Sequence, residues 1–275
     1  MTAPATPGPM QLPDTWNATA AGYAELAVGQ FARYAEEALR LVPPEKAQRV
    51  LDVGAGPGTL TLLAAPRVAE VTAIDFAPGM LEQLALRAIR EGIRDVEAMV
   101  MDAQSLELPD QGFDAVFCMF VLMFVPDRPR ALAEMRRVLR PGGRAVVATW
   151  GRIERRPFMQ VGFDAMAEAF PEMPPPPKGD LQEPADCERE LGEAGFADVV
   201  AHVVSAAVTI ESPEHYLALL TRSGAPLVAL RRRLGEEVWA AAERRLLEAL
   251  RARLPACPVD LAAEALLTVG TRPPE

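Results

Sequence analysis

Tyr23, Ala27, Phe31, Tyr34, Ala38 and Leu41 recur at three- and four-residue spacing and stop before Pro43 and Pro44. The spacing predicts one amphipathic helix, ended by residues that cannot continue it. The period then changes. Arg49 to Val53 (RVLDV) and Glu70 to Asp75 (EVTAID) are short apolar runs with β-branched residues, the pattern of strands buried on both faces. A short helical stretch ending near Pro66 lies between them. Pro78 opens the next helix, with Leu81, Leu84, Ala85 and Ala88 along one side and Gly92 past its end. Val96 to Met101 and Phe113 to Val121 read as two more strands. Asp127 caps a helix carrying Leu132, Met135 and Leu139, and Pro141-Gly142-Gly143 turns into a strand from Arg144 to Trp150. Five strands alternating with helices need crossover connections, so the chain is α/β with a right-handed, doubly wound parallel sheet.

Past Trp150 the rhythm is lost. Residues 151 to 180, with the proline run Pro174 to Pro177, read as loose chain, and Asp186 to Gly195 as a helix leading into a strand at Phe196 to Val203. Leu234, Val238, Ala242, Leu246, Leu250 and Leu254 repeat every four residues with arginines and glutamates around them, which describes a helix with a solvated face. Glu264 to Val269 (EALLTV) is a last strand, antiparallel to the one before it. The whole is expected to be a seven-stranded, mostly parallel sheet with a final antiparallel strand and a helical cap. Residues 1 to 15 are expected to be disordered and 16 to 275 to form a single domain, with cap elements at 16–42, 151–185 and 211–258.

The balance of 28 basic against 38 acidic residues gives a net charge of -10, which repels a phosphate backbone, so nucleic acid is not an expected partner. Cys118, Cys187 and Cys257 are odd in number and widely spaced, which suits neither a disulfide framework nor a metal site and points to a reducing cytoplasm. No basic run followed by an apolar one opens the chain, and no apolar run is long enough for a membrane span.

The decisive stretch is Leu51-Asp52-Val53-Gly54-Ala55-Gly56-Pro57-Gly58, a strand breaking into a glycine loop that feeds a helix. Glycines admit a ligand close to the backbone, and a helix start offers free N–H groups. Thr59 stands where a dinucleotide fingerprint wants a third glycine or alanine, and Asp52 lies two residues before the first glycine. A carboxylate there opposes a pyrophosphate and suits a ligand with an ammonium group.

With VLDVGAGPG, VTAIDFAPGML, MDAQSLELPDQGFDAVFCMFVLMFVPD and ALAEMRRVLRPGGRAVVATW in this order, residues 16 to 150 resemble the class I S-adenosylmethionine-dependent methyltransferases, in particular the small-molecule group that includes the quinone-biosynthesis enzymes. The resemblance implies a Rossmann-like fold and a bound S-adenosylmethionine. Its amino-acid part would lie along Asp52, Gly54, Ala55 and Gly56, and Asp75 would accept both ribose hydroxyls. Phe76 and Met80 would flank the adenine, Asp102 would accept its exocyclic amine, and the Ala103 N–H would meet a ring nitrogen. Phe120 would border the methionine part, while Trp16 and Tyr23 resemble an aromatic pair placed over the cofactor. Strand-end turn acids remain an alternative for Asp75 and Asp102, and plain core for Met80, Phe120 and Tyr23.

The implied reaction moves a methyl group to O, N or C of a small, partly hydrophobic metabolite by in-line displacement, which needs alignment and dryness more than a base. His215 is the candidate base, with an exposed helix-start residue as its alternative. Phe158 and Tyr216 are candidates to line the acceptor pocket, with packing of the cap as theirs. No clustered His, Cys or carboxylate residues suggest a metal. A nicotinamide dehydrogenase shares the fold class but lacks a Tyr-x-x-x-Lys pair here, since the only lysines are Lys46 and Lys178. A non-catalytic S-adenosylmethionine-binding or scaffolding protein is a second rival.

Overall fold

The computed structural model describes residues 8–45, 48–172 and 179–274. The proline run and both lysines lie outside the described residues. Among the described residues seven strands form one sheet: β1 (Arg49–Val53), β2 (Glu70–Asp75), β3 (Val96–Val100), β4 (Phe113–Met119), β5 (Leu139–Trp150), β6 (Ala197–Ile210) and β7 (Val259–Thr271). Their order is β3-β2-β1-β4-β5-β7-β6. The first five are parallel, and β7 runs antiparallel to both β5 and β6 between which it is inserted. The order reverses between β1 and β4, where an open α/β sheet leaves a crevice beyond the strand C-termini.

Among the described residues ten α-helices surround the sheet: α1 (Pro13–Leu26), α2 (Val28–Leu41), α3 (Thr59–Ala64), α4 (Pro78–Glu91), α5 (Arg128–Val138), α6 (Pro157–Ala169), α7 (Pro184–Glu193), α8 (Pro213–Ala218), α9 (Ala225–Leu234) and α10 (Glu236–Arg253). On one face, Leu132, Met135 and Val138 of α5 and Leu191 of α7 pack on Leu51, Val116 and Val147. On the other, Tyr34, Ala38 and Leu39 of α2 and Leu60 and Ala64 of α3 pack on Val50, Phe117 and Val146. A third core joins α6, α8 and α10 through Met166, Tyr216, Trp239, Leu246 and Leu250 over the ends of β6 and β7. This third core is the cap. Among the described residues no helix is long and apolar enough to cross a membrane.

The structure departs from expectation mainly outside β1 to β5. The N-terminal stretch is not disordered throughout, because Pro9–Gln11 forms a helical turn and α1 begins at Pro13. The first amphipathic pattern is two helices, meeting at Ala27, since they pack on different neighbours. α2 lies on α3, whereas α1 lies on α4 and on a π-turn (Leu219–Ser223) of the cap. Residues 157–169, read as loose chain, form α6. The long leucine pattern is interrupted at Gly235, whose φ of +77° ends α9 before α10 begins. Val238, placed on the buried face by its spacing, is 55% exposed, and Trp239 is buried instead. β6 and β7 are longer than predicted because their outer halves alternate: Ala206, Val208 and Ile210 face the core while Ser205, Ala207 and Thr209 face solvent.

α1 is held at both ends. Asn17 Oδ1 accepts the Gly79 N–H at 2.8 Å from the first turn of α4, and Gly22 abuts the cap so closely that a Cβ there would stand 2.1 Å from the Arg222 carbonyl oxygen. Gly22→Ala is therefore expected to lower stability by about 1–3 kcal/mol, the usual cost of overpacking. Urea unfolding checks this, and an unchanged midpoint would show that α1 does not dock on the cap as described.

Candidate active site

β2 ends in Asp75 and β1 carries Asp52 one residue before its end, and each carboxylate is turned onto the chain beside it. Asp75 Oδ2 accepts the Gly56 N–H and Oδ1 the Ala77 N–H, each at 2.9 Å. Asp52 Oδ2 accepts from the Thr61 hydroxyl at 2.6 Å and the Thr61 N–H at 3.1 Å, pinning the first turn of α3. Gly54, with φ +68°, has no room for a side chain, because a Cβ would stand 2.3 Å from Val121 Cγ2, two residues past β4. Gly56 differs: its φ is +55°, yet nothing lies within 4 Å of where a Cβ would project. That open space is the cleft.

Burial dominates the electrostatics. It pushes the Asp52 carboxyl up to about 7, helped by the charge of Asp75 and opposed by the Thr61 hydrogen bonds. It pushes Asp75 up to about 6 against the N–H groups of Ala77, Gly56 and Phe76. Burial and the neighbouring Asp75 charge also raise the Tyr23 phenol well above its ordinary value, so it stays protonated.

The cleft encloses about 1170 Å³, part of it open to solvent, between the strand ends and α1. Trp16, Tyr23, Asp52, Gly54, Ala55, Gly56, Asp75, Phe76, Met80, Asp102, Ala103 and Phe120 all line it. The sequence-derived cofactor set is thus brought together in one place, although α1 and the four loops are far apart in the chain. Asp102 is exposed, and both its oxygens accept from the Gln104 side-chain amide at 3.0 Å. Gln104 Oε1 in turn accepts the Asp127 N–H at 3.0 Å, tying two loops of the rim.

Across the cleft the wall is aromatic. Phe120 has φ +61°, a conformation that costs a non-glycine residue free energy and persists only where surroundings fix it. Here the Phe120 N–H donates to the Ala148 carbonyl at 2.9 Å, and the ring meets Trp150 at 4.3 Å, Phe31 at 5.1 Å and Tyr34 at 5.3 Å. Phe31, Met101, Gln104 and Phe124 line the cleft as well and were not assigned to it from sequence. Phe31 was legible only as a position on the buried face of a helix, and Gln104 only by its nearness to Asp102.

Three expectations fail. His215 is not in the cleft: its Nδ1 accepts the Glu211 N–H at 3.2 Å and its own N–H donates to Ser212 Oγ at 3.0 Å, closing the first turn of α8. Tyr216 is fully buried in the cap core, where its hydroxyl donates to the Phe158 carbonyl, and the Phe158 ring packs on it at 5.1 Å. Both rings join α8 to α6 and neither lines the cleft. Burial alone accounts for the raised Tyr216 phenol.

A family described as "Methyltransferase domain" matches residues 51–147, the stretch from β1 to β5. A malonyl-[acyl-carrier protein] O-methyltransferase of Halorhodospira halophila is 33% identical over 219 residues, spanning 77% of this chain and 70% of that one. The chain is a class I S-adenosylmethionine-dependent methyltransferase. A demethylmenaquinone methyltransferase of Renibacterium salmoninarum is 37% identical over 146 residues, covering 53% of this chain and 60% of its own. This chain's fold is shared over 98% of both chains, at TM-score 0.60 and 18% identity, by the crystal structure of the [4+2]-cyclase SpnF. S-adenosylmethionine is its cofactor.

The raised Asp52 carboxyl has a measurable consequence. Because its folded-state value lies above the ordinary 3.8, its contribution to stability is complete below about pH 4 and is lost as pH rises through about 7. Asp52→Asn keeps an oxygen for Thr61 and removes that loss. The variant is expected to gain on the parent protein by up to about 1.4 kcal/mol per pH unit across this window. Parallel stability curves from urea unfolding at several pH values would contradict it.

Proposed function

We propose that the cleft takes S-adenosylmethionine with its amino-acid part along Asp52, Gly54, Ala55 and Gly56, its ribose on Asp75, and its adenine between Phe76 and Met80 with Asp102 and Ala103 at the edge. The observation that carries this reading is the charge of the lining: it contains Asp52, Asp75 and Asp102 and no Lys, Arg or His among the described residues. Such a site repels a pyrophosphate, which a nicotinamide dinucleotide would bring, and suits a nucleoside bearing ammonium and sulfonium charges. Asp75 Oδ2 accepts the Gly56 N–H and Oδ1 the Ala77 N–H, and a carboxylate has about four acceptor sites, so it keeps capacity for a hydroxyl donor. The open space at Gly56 provides for close approach to the backbone.

When bound, the cofactor supplies a methyl group already activated on sulfur. The protein's part is then to align the acceptor in line with that methyl and to exclude water, a contribution worth up to roughly 7–11 kcal/mol. Trp16, Tyr23, Phe31, Phe120 and Phe124 form the apolar surround that does this. No histidine faces the cleft and Tyr23 holds its proton, so the acceptor arrives as its own nucleophile. The aromatic wall favours a small, partly hydrophobic metabolite accepting through O, N or C, in keeping with relatives named for demethylmenaquinone and malonyl-[acyl-carrier protein]. We read the protein as a single domain with its cap, working in the cytoplasm without nucleic acid. Three free cysteines and the net charge of -10 support that reading.

Asp75→Ala is expected to weaken S-adenosylhomocysteine binding by about 2–4 kcal/mol, through loss of charge-assisted hydrogen bonds worth about 1.5–3 kcal/mol each. Gly56→Val should abolish binding, since its branch would fill the cleft and a β-branched residue resists a φ of +55°. Calorimetry with circular dichroism as the folding control decides: unchanged affinity in the folded Asp75→Ala protein would sink the assignment.

A further inference from the structure

Asp102 follows the end of β3 by two residues and is exposed, so by itself its carboxylate would be free to turn. Gln104 stops it. Asp102 Oδ1 accepts the Gln104 backbone N–H at 2.9 Å and the Gln104 side-chain amide at 3.0 Å, and Oδ2 accepts the same amide nitrogen at 3.0 Å. The other end of that amide is fixed as well. Gln104 Oε1 accepts the Asp127 N–H at 3.0 Å, and Asp127 is anchored in turn, its Oδ1 accepting the Arg130 N–H at 3.1 Å to cap α5. A backbone N–H can only donate, so the amide must present its oxygen to Asp127 and its NH2 group to Asp102. The hydrogen bonds therefore run one way, from the Asp127 backbone through Gln104 to the carboxylate.

That direction decides what Asp102 offers to a ligand. Oδ1 already accepts two N–H groups and Oδ2 one, and a carboxylate has about four acceptor sites, so what remains is acceptor capacity, chiefly on Oδ2. Asp102 and Gln104 both line the cleft. We propose that Gln104 is a positioning residue for cofactor selection: it holds the Asp102 carboxylate in one orientation, so that the site prefers a purine with an amino group to one without. The inference rests on the cofactor reading of the cleft and adds to it the residue that sets selectivity for the base. A carboxylate already in place binds an amino group better than one that must first be ordered, because the ordering cost then falls outside binding. Two roles of Gln104 are separable. Tying the rim needs only Oε1 on the Asp127 N–H, whereas orienting Asp102 needs the amide nitrogen that spans both carboxylate oxygens.

The test uses full-length protein and calorimetry with two ligands of equal charge, S-adenosylhomocysteine and its 6-deamino analogue, in which purine riboside replaces adenosine. The unaltered protein is expected to prefer S-adenosylhomocysteine by about tenfold or more, the worth of a hydrogen bond to a charged group. Gln104→Glu keeps an oxygen for the Asp127 N–H, but its carboxylate cannot donate to Asp102 and sets a like charge against it. It should cut the preference by about threefold or more, with the loss confined to S-adenosylhomocysteine. Gln104→Ala, which removes both side-chain contacts, should cut it likewise and serves if the glutamate variant does not fold. In an Asp102→Ala background neither change should move the ratio, because Gln104 acts through Asp102. A preference that survives both variants, a loss that falls equally on the two ligands, or an effect that persists without Asp102 would overturn the proposal and leave Gln104 as a tie of the rim. Equal binding of the two ligands by the unaltered protein would overturn it too, by removing Asp102 from the base. Failure of that protein to bind either ligand would instead remove the cofactor reading, and the proposal with it.

Discussion

Everything in the cleft depends on two carboxylates buried side by side at the ends of adjacent parallel strands. Asp75 reaches across to the Gly56 N–H and back to its own loop at Ala77, so a single side chain fixes both the glycine loop after β1 and the turn after β2. Asp52 does the same for the start of α3 through Thr61. The loop conformation, with left-handed glycines at 54 and 56, is thus held by side-chain acceptors rather than by packing alone. The arrangement is costly, since both carboxyls are driven upward by burial, and Asp52 also by the charge of Asp75. A ligand that brings positive charge and hydroxyl donors relieves that cost, so under the proposed function the groups that shape the loop also select what binds to it.

The reversal of strand order between β1 and β4 divides the cleft into two chemistries. On the β1, β2 and β3 side are acids and backbone, suited to a cofactor with many polar groups. On the β4 and β5 side Phe120, held in a strained backbone conformation by three neighbouring rings, sets an apolar wall. α1 roofs both sides. It is clamped between α4 and the cap through Asn17 and Gly22, so the cap controls the roof without contributing Tyr216 or Phe158 to the wall.

The parallel half of the fold was legible because strands buried on both faces read as continuous apolar runs, and because Pro78, Gly92 and Asp127 mark helix ends for local reasons. The cleft proposed for the cofactor was legible because its residues sit at strand ends in a motif order that resembles a known family. The cap was less so. Four-residue spacing says that a helix has a buried face but not where a break at Gly235 shifts that face, so Val238 and Trp239 exchanged places. His215, Phe158 and Tyr216 were chosen by chemical type, and chemical type does not distinguish a ring at a ligand from a ring in a core.

Asp52 and Asp75 are the groups proposed to receive the cofactor. In the free protein both are partly protonated near pH 6–7, and a ligand that brings an ammonium to one and hydroxyl donors to the other favours their ionised forms. The direct measurement is S-adenosylhomocysteine calorimetry across this range in buffers of different ionisation enthalpy. The account predicts that binding releases protons near pH 6.5 and that affinity rises with pH to a plateau above about pH 8. Affinity independent of pH, with no proton released, would contradict it.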